Sequence, residues 1–244
     1  MKLMGHVIAD YPTPAAARRM IALMAEAGVA TIEIQIPFSE PMADGPVFLA
    51  ANHKALAQGV GFDASLKLMA EVTRAHPRVD FVFMTYLNIV YQRGYESFAK
   101  EASAAGAKGV IIPDLPVEYA EEWEAACEKH KLYNVRMVAP STPEARLKVT
   151  LAGASGFVYV VARAGVTGGK TDISQQLGER LAVIAKHTKT PLAVGFGVQT
   201  PADVTALRAA GASHAIVGTA ALKAWEQGET TYSQFWRGLA SVCL

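Results

Sequence analysis

Eight short apolar runs recur along the chain, and Ala-, Leu- and Glu-rich stretches with helical spacing lie between them. The runs are "HVIA" (6–9), "TIEIQI" (31–36), "DFVFMTY" (80–86), "GVIIP" (109–113), "NVRMVA" (134–139), "GFVYVVA" (156–162), "PLAVGF" (191–196) and "HAIVG" (214–218). Each is almost continuously apolar, as a strand is when both faces of a parallel sheet are buried. The intervening stretches include 15–28, 65–76, 95–106, 118–130 and 202–212, and Gly28 is placed to end the first of them. Strands alternating with amphipathic helices define βαβ units.

Eight such units in 244 residues fit an α/β fold of the TIM (β/α)8 barrel type, which takes about 250 residues. An open doubly wound sheet fits less well, because no glycine fingerprint follows the first strand. No linker or low-complexity segment divides the chain, so residues 1–244 are expected to form a single barrel domain. Hydrophobic residues make up 51% of the chain, enough for a large core.

Charge narrows the function classes. Lys plus Arg number 23 against 22 Asp plus Glu. Without a basic run or basic–aromatic stripe, nucleic acid is not an expected partner. No apolar stretch approaches the ~20 residues that span a bilayer. The start "MKLMGHVIAD" meets a polar residue too early for a signal peptide. The two cysteines, Cys127 and Cys243, have no metal-binding spacing and are not expected to pair. A soluble cytoplasmic protein is the expectation.

In a barrel, chemistry gathers at the C-terminal strand ends and the loops that follow. Three glycine motifs lie at such ends: "GVTGG" (165–169), "GFG" (195–197) and "VGTA" (217–220). Glycines let backbone amides approach an anion, and a helix N-terminus after Gly218 and Thr219 adds partial positive charge. Tight turns explain any one motif alone; three at adjoining ends point to a phosphate site. The glycine-rich loop 162–174 has the composition of a mobile lid.

Two acids occupy the stretch "IEIQIPFSEPMADGP" (32–46). Ile32, Ile34 and Ile36 alternate with Glu33 and Gln35. The isoleucines suit the helix side, which turns Glu33 and Gln35 inward. A carboxylate there is costly unless paired, and desolvation raises its pKa into the range useful for proton transfer. A structural acid satisfied by neighbouring hydroxyls or amides is the alternative. Asp44 lies in the following loop, where "ADGP" also suits an aspartate capping its own turn.

Other candidates are less distinctive. Tyr159 on the sixth run can line the pocket or serve the core. Tyr86 and Asn88 end the third run, and Asp114 in "IIPDLP" ends the fourth as a ligand or a cap. His6 is placed to line the pocket, and His53 belongs to a surface helix. Trp123 and Trp225 read as helix-packing residues. The histidines show no metal-binding spacing, and no Ser/His/Asp or Cys/His arrangement is legible.

The motifs "IEIQIPFSEPMADGP", "FMTYLN", "PDLPVEY", "YVVARAGVTGG", "VGFGVQTP" and "IVGTAALK" occur in this order. Together they resemble the tryptophan synthase alpha chain family over nearly the whole chain. The resemblance implies a TIM barrel that cleaves indole-3-glycerol phosphate to indole and glyceraldehyde 3-phosphate without a metal or organic cofactor. It implies Glu33 and Asp44 as the catalytic acids, and Tyr159 beside the glutamate. It implies Thr167 as a lid threonine meeting the aspartate on closure. Gly168, Gly197, Gly218 and Thr219 then hold the phosphate, and Tyr86 and Asp114 join the substrate-binding set. A tryptophan synthase beta subunit, which holds pyridoxal phosphate, is the implied partner.

The sequence departs from the family pattern in places. Gln35 stands where the family often has glycine, and Glu40 where it has aspartate. His6 occupies a usually apolar place, and "DYP" (10–12) replaces a G-D-P pattern. The chain also starts almost at the first strand, which is expected to leave the lower end of the barrel less covered. Alternatives to the lyase subunit are a weakly catalytic, phosphate-binding regulatory subunit, a free-standing indole-releasing lyase, or another phosphate-binding barrel enzyme such as a sugar-phosphate isomerase.

Overall fold

The computed structural model describes residues 1–161, 175–195 and 197–243. Eight parallel strands pair in chain order and close on themselves. They are β1 (Lys2–Ile8), β2 (Thr31–Gln35), β3 (Asp80–Met84), β4 (Gly109–Ile111), β5 (Tyr133–Val138), β6 (Val158–Val161), β7 (Leu192–Gly195) and β8 (His214–Val217). The closing pair sets Lys2 of β1 beside His214 of β8. The architecture is the TIM barrel expected from the alternation.

Around the barrel lie α1 (Pro14–Glu26), α2 (Pro46–Ala57), α3 (Phe62–Ala75), α4 (Leu87–Arg93), α5 (Tyr95–Ala104), α6 (Glu121–His130), α7 (Glu144–Thr150), α8 (Gln175–His187), α9 (Pro201–Ala209), α10 (Thr219–Glu226) and α11 (Glu229–Ala240). Local chemistry starts several of them. Thr13 caps α1 by accepting from the Ala16 amide, with Pro14 in the first turn. Thr200 and Asp203 form a reciprocal capping box on α9. Helices α4 and α7 have seven residues each, too few to register as a periodic stretch.

The strands divide their side chains between two cores. Met4, Val82, Met84, Ile111, Val135, Ala193 and Ile216 fill the barrel interior. Ile32, Ile34, Val7, Phe81, Phe83 and Val194 point outward into the helical layer. Trp123 is buried there and meets Phe98 of α5 edge-on, and Trp225 meets Tyr232 of α11. Both tryptophans pack helices, as expected.

Strand β1 begins at Lys2, four residues ahead of the run that starts at His6. Gly5 conceals the continuation, because glycine weakens a strand on propensity. Here its bare Cα admits α1 and α11: a Cβ would lie 2.3 Å from Met24 Sδ and 3.2 Å from the Trp236 ring. Cys127 and Cys243 are both free thiols. Among the described residues, no helix is long and apolar enough to cross a membrane.

Candidate active site

The period-two alternation of β2 carries through to the barrel. Glu33 and Gln35 are 1% and 0% exposed and face inward. Glu33 sits opposite His6 of β1 and Val82 of β3. After β2 the chain leaves at Pro37, and the Asp44 amide closes a turn on the Pro41 carbonyl. Asn52 of α2 is fully buried and fastens this loop, accepting from the Phe38 amide and donating to the Phe48 carbonyl. Exposed His53 lies 2.9 Å from the Ser39 carbonyl.

The loop returns Asp44 to the barrel mouth. Its carboxylate does not cap its own turn. Instead Oδ2 accepts from Gln35 Nε2 at 2.6 Å and from the Tyr86 hydroxyl at 3.2 Å. The Tyr86 oxygen in turn accepts from the Ala43 amide at 3.1 Å, and its ring stacks on Phe38. Gln35 Oε1 lies 2.9 Å from His6 Nε2. The imidazole stacks on Phe48 with centroids 4.4 Å apart, and its Nδ1 lies 4.0 Å from Glu33 Oε2. Glu33 Oε1 is buried with no hydrogen-bond partner among the described residues.

This environment separates the two acids. Burial, reinforced by the negative Asp44, pushes Glu33 up to about 8. Burial also raises Asp44, but the hydrogen bonds from Gln35 and Tyr86 favour its anion and hold it at about 6. Near neutral pH the cluster therefore holds a protonated Glu33 and an ionised Asp44. Burial lowers His6 to about 4, against the opposing hydrogen bond to Gln35, so its ring is neutral. The Tyr159 phenol packs against the interior cluster. Burial and the nearby Glu33, Asp44 and Tyr86 push it well above the usual tyrosine range. A buried acid and a hydrogen-bonded carboxylate at one strand end have the separated protonation states that proton transfer needs.

A family model for the tryptophan synthase alpha chain matches residues 1–241. The chain belongs to the tryptophan synthase alpha chain family. Members cleave indole-3-glycerol phosphate, a carbon–carbon lyase reaction in tryptophan biosynthesis. The tryptophan synthase alpha chain of Syntrophotalea carbinolica is 43% identical over 93% of this chain and 88% of its own length. That of Methanosarcina mazei is 39% identical over 93% and 82%. Among solved structures, a Mycobacterium tuberculosis tryptophan synthase chain superposes with a TM-score of 0.92 at 33% identity, covering 99% of this chain and 91% of that one. A chain of the Pyrococcus furiosus tryptophan synthase complex gives 0.87 at 29% identity, covering 99% and 97%.

Among the described residues, Gly218 and Thr219 of the predicted set follow β8 beside the same cluster. Gly218 precedes α10, and Thr219 is its first residue. A Cβ on Gly218 would lie 3.3 Å from the Phe48 ring and 3.8 Å from His6 Nδ1, so α10 begins beside the histidine. Gly197 has φ +69°, a conformation that favours glycine. Thr167, Gly168 and the 162–174 lid loop lie outside the described residues. Asp114 is exposed, and its Oδ1 accepts from the Leu87 amide at 2.8 Å. It thus caps α4 from the neighbouring loop, the cap alternative for this acid.

Sequence reasoning places His6 and Gln35 on the inner face without assigning them partners. Phe48 and Asn52 carry no local signal of their contacts, since an apolar or amide side chain in a helix is common.

Proposed function

We propose that Glu33 moves the proton and Asp44 anchors the indole ring as this alpha chain cleaves indole-3-glycerol phosphate. The observation that carries the assignment is the contrast between the two acids: Glu33 is 1% exposed with Oε1 unpartnered among the described residues, whereas Asp44 accepts from Gln35 and Tyr86. Indole is a poor carbon leaving group until its C3 is protonated. Protonated Glu33 donates to C3, and the ring becomes a cationic indoleninium whose positive charge is shared with its N–H. Asp44 accepts a hydrogen bond from that N–H; among the described residues its hydrogen bonds from Gln35 and Tyr86 both end on Oδ2, and Oδ1 is the oxygen assigned to the substrate. The resulting Glu33 carboxylate then takes the proton of the side-chain hydroxyl. The C3–side-chain bond breaks, its electron pair restores the aromatic ring, and the aldehyde of glyceraldehyde 3-phosphate forms.

Gly168, Gly197, Gly218 and Thr219 hold the phosphate in this reading, supported by the start of α10 at Thr219. An anchored phosphate orients the reacting carbons. Tyr159 packs beside Glu33, and Thr167 meets Asp44 on closure. Tyr86 orients Asp44, while Asp114 supports the loop that carries Tyr86 through Oδ1 and keeps its place in the substrate-binding set. The steps use no metal or organic cofactor of this chain. The single-domain cytoplasmic chain pairs with a tryptophan synthase beta subunit, which supplies pyridoxal phosphate and consumes the indole.

Indole release by the purified chain, with and without a tryptophan synthase beta subunit, tests the reading. Slow release alone and a large increase with the partner support an alpha subunit. Fast release alone supports a free-standing lyase, a reading favoured by the hold that Gln35 and Tyr86 already have on Asp44. No release in either condition overturns both.

A further inference from the structure

The two acids are joined through two side chains that the mechanism above does not use. Gln35 bridges Asp44 and His6, with contacts of 2.6 and 2.9 Å, and His6 Nδ1 stands 4.0 Å from Glu33 Oε2. Glu33 and Gln35 are buried side chains of β2, and His6 pairs in register with Glu33 across β1 and β2.

The chemistry of the links fixes their direction. An ionised carboxylate only accepts hydrogen bonds, so the Gln35 group facing Asp44 must be its NH2. The Gln35 oxygen then faces His6 and only accepts, so His6 Nε2 must carry a hydrogen. The imidazole is neutral, and its Nδ1 is therefore a bare lone pair, 4.0 Å from Glu33 Oε2 and outside hydrogen-bond distance. Phe48 stacks on the ring with centroids 4.4 Å apart.

We propose that His6 is a positioning residue for Glu33, its tautomer set by Asp44 through Gln35, so that a bare Nδ1 stands 4.0 Å from Glu33 Oε2 and its lone pair electrostatically favours the protonated acid. An ionised Asp44 thereby selects the ring form that favours a protonated Glu33. The link acts before the substrate binds, and it transmits polarity and no proton, because the carboxamide keeps its own hydrogens. The activity half of this inference rests on the lyase reading; the tautomer half does not.

The test uses the full chain with 15N-labelled histidine at pH 7. The His6 signals are assigned by their loss in His6→Phe, whose ring retains a surface for Phe48. Expected is a neutral ring bearing its hydrogen on Nε2. In Gln35→Met, which keeps the chain length but forms no hydrogen bond, the preference should collapse to an average of both tautomers. A hydrogen on Nδ1, an imidazolium, or an unchanged spectrum in Gln35→Met overturns the link. In the indole-release assay, both variants should lower kcat by roughly ten- to a hundredfold, the scale of a misplaced reacting group, with KM unchanged. A wild-type kcat in both, or a loss confined to KM, overturns the positioning role. If His6→Phe fails to fold, His6→Asn supplies the assignment, and the Gln35→Met spectrum and kinetics are read against it. A wild-type chain that releases no indole refutes the lyase reading, and the spectra alone then decide the link.

Discussion

Gln35 Nε2 donates to Oδ2 of Asp44 across 2.6 Å, joining the end of β2 to the loop nine residues on. That contact favours the Asp44 anion, whereas among the described residues one Glu33 oxygen has no hydrogen-bond partner and nothing comparable favours the Glu33 anion. The same strand therefore carries the residue that ionises one acid and the acid that stays protonated.

Replacing Glu33 with Gln removes the transferable proton while keeping the side-chain size. Turnover should fall by about 10²–10⁴, the range of general acid–base catalysis, with substrate binding retained. Single-turnover indole release and calorimetric titration with the substrate check the two halves. Near-wild-type turnover in this variant would exclude Glu33 as the proton carrier.

The activity requires Asp44 ionised and Glu33 protonated. Asp44 is raised to about 6 and Glu33 to about 8, so kcat/KM should rise through pH 6 and fall through pH 8. The two limbs belong to a coupled pair. Asp44→Asn should depress the plateau and remove the acid limb, which a pH–rate series would reveal.

Stability carries its own pH signature. Glu33 titrates higher folded than its ordinary 4.5, so the folded state holds this proton more tightly. Its contribution is fully present below about 4.5 and is lost as pH rises through 8. At pH 9 the native state bears a buried charge costing on the order of a few kcal/mol. Glu33→Gln should therefore gain stability relative to wild type as pH increases from 5 to 9. Urea melts across that range would show a constant difference if the acid is not desolvated.

Gly109 tests the barrel wall away from the acids. A Cβ there would lie 2.8 Å from the Tyr133 carbonyl oxygen and 2.6 Å from the Tyr133 Cβ, so backbone must move. Gly109→Ala should cost about 1–3 kcal/mol, as overpacking does, and lower Tm while leaving kcat near wild type at low temperature. An unchanged Tm would mean the strand pair yields freely.

By itself the sequence determined the alternation of strands and helices, and with it the closed eight-stranded barrel. The cause is local: apolar runs mark strands buried on both faces, and period two fixes which side chains of β2 turn inward. The inward placement of Glu33 follows from its isoleucine neighbours alone. The glycine motifs likewise announce themselves at strand ends. Tertiary structure decided the rest. Asp44 in a turn sequence could serve its own turn, and only the packing of the loop on α2 and Tyr86 brings it to Gln35. Asp114 could bind a ligand, and only the neighbouring α4 makes it a cap. Gly5 interrupts the apolar pattern of β1, and only α1 and α11 show why a side chain has no room. His6 finds Gln35 twenty-nine residues away and Phe48 on another element. Periodicity records which face a residue takes, whereas its partner depends on where separate elements meet once the barrel has closed.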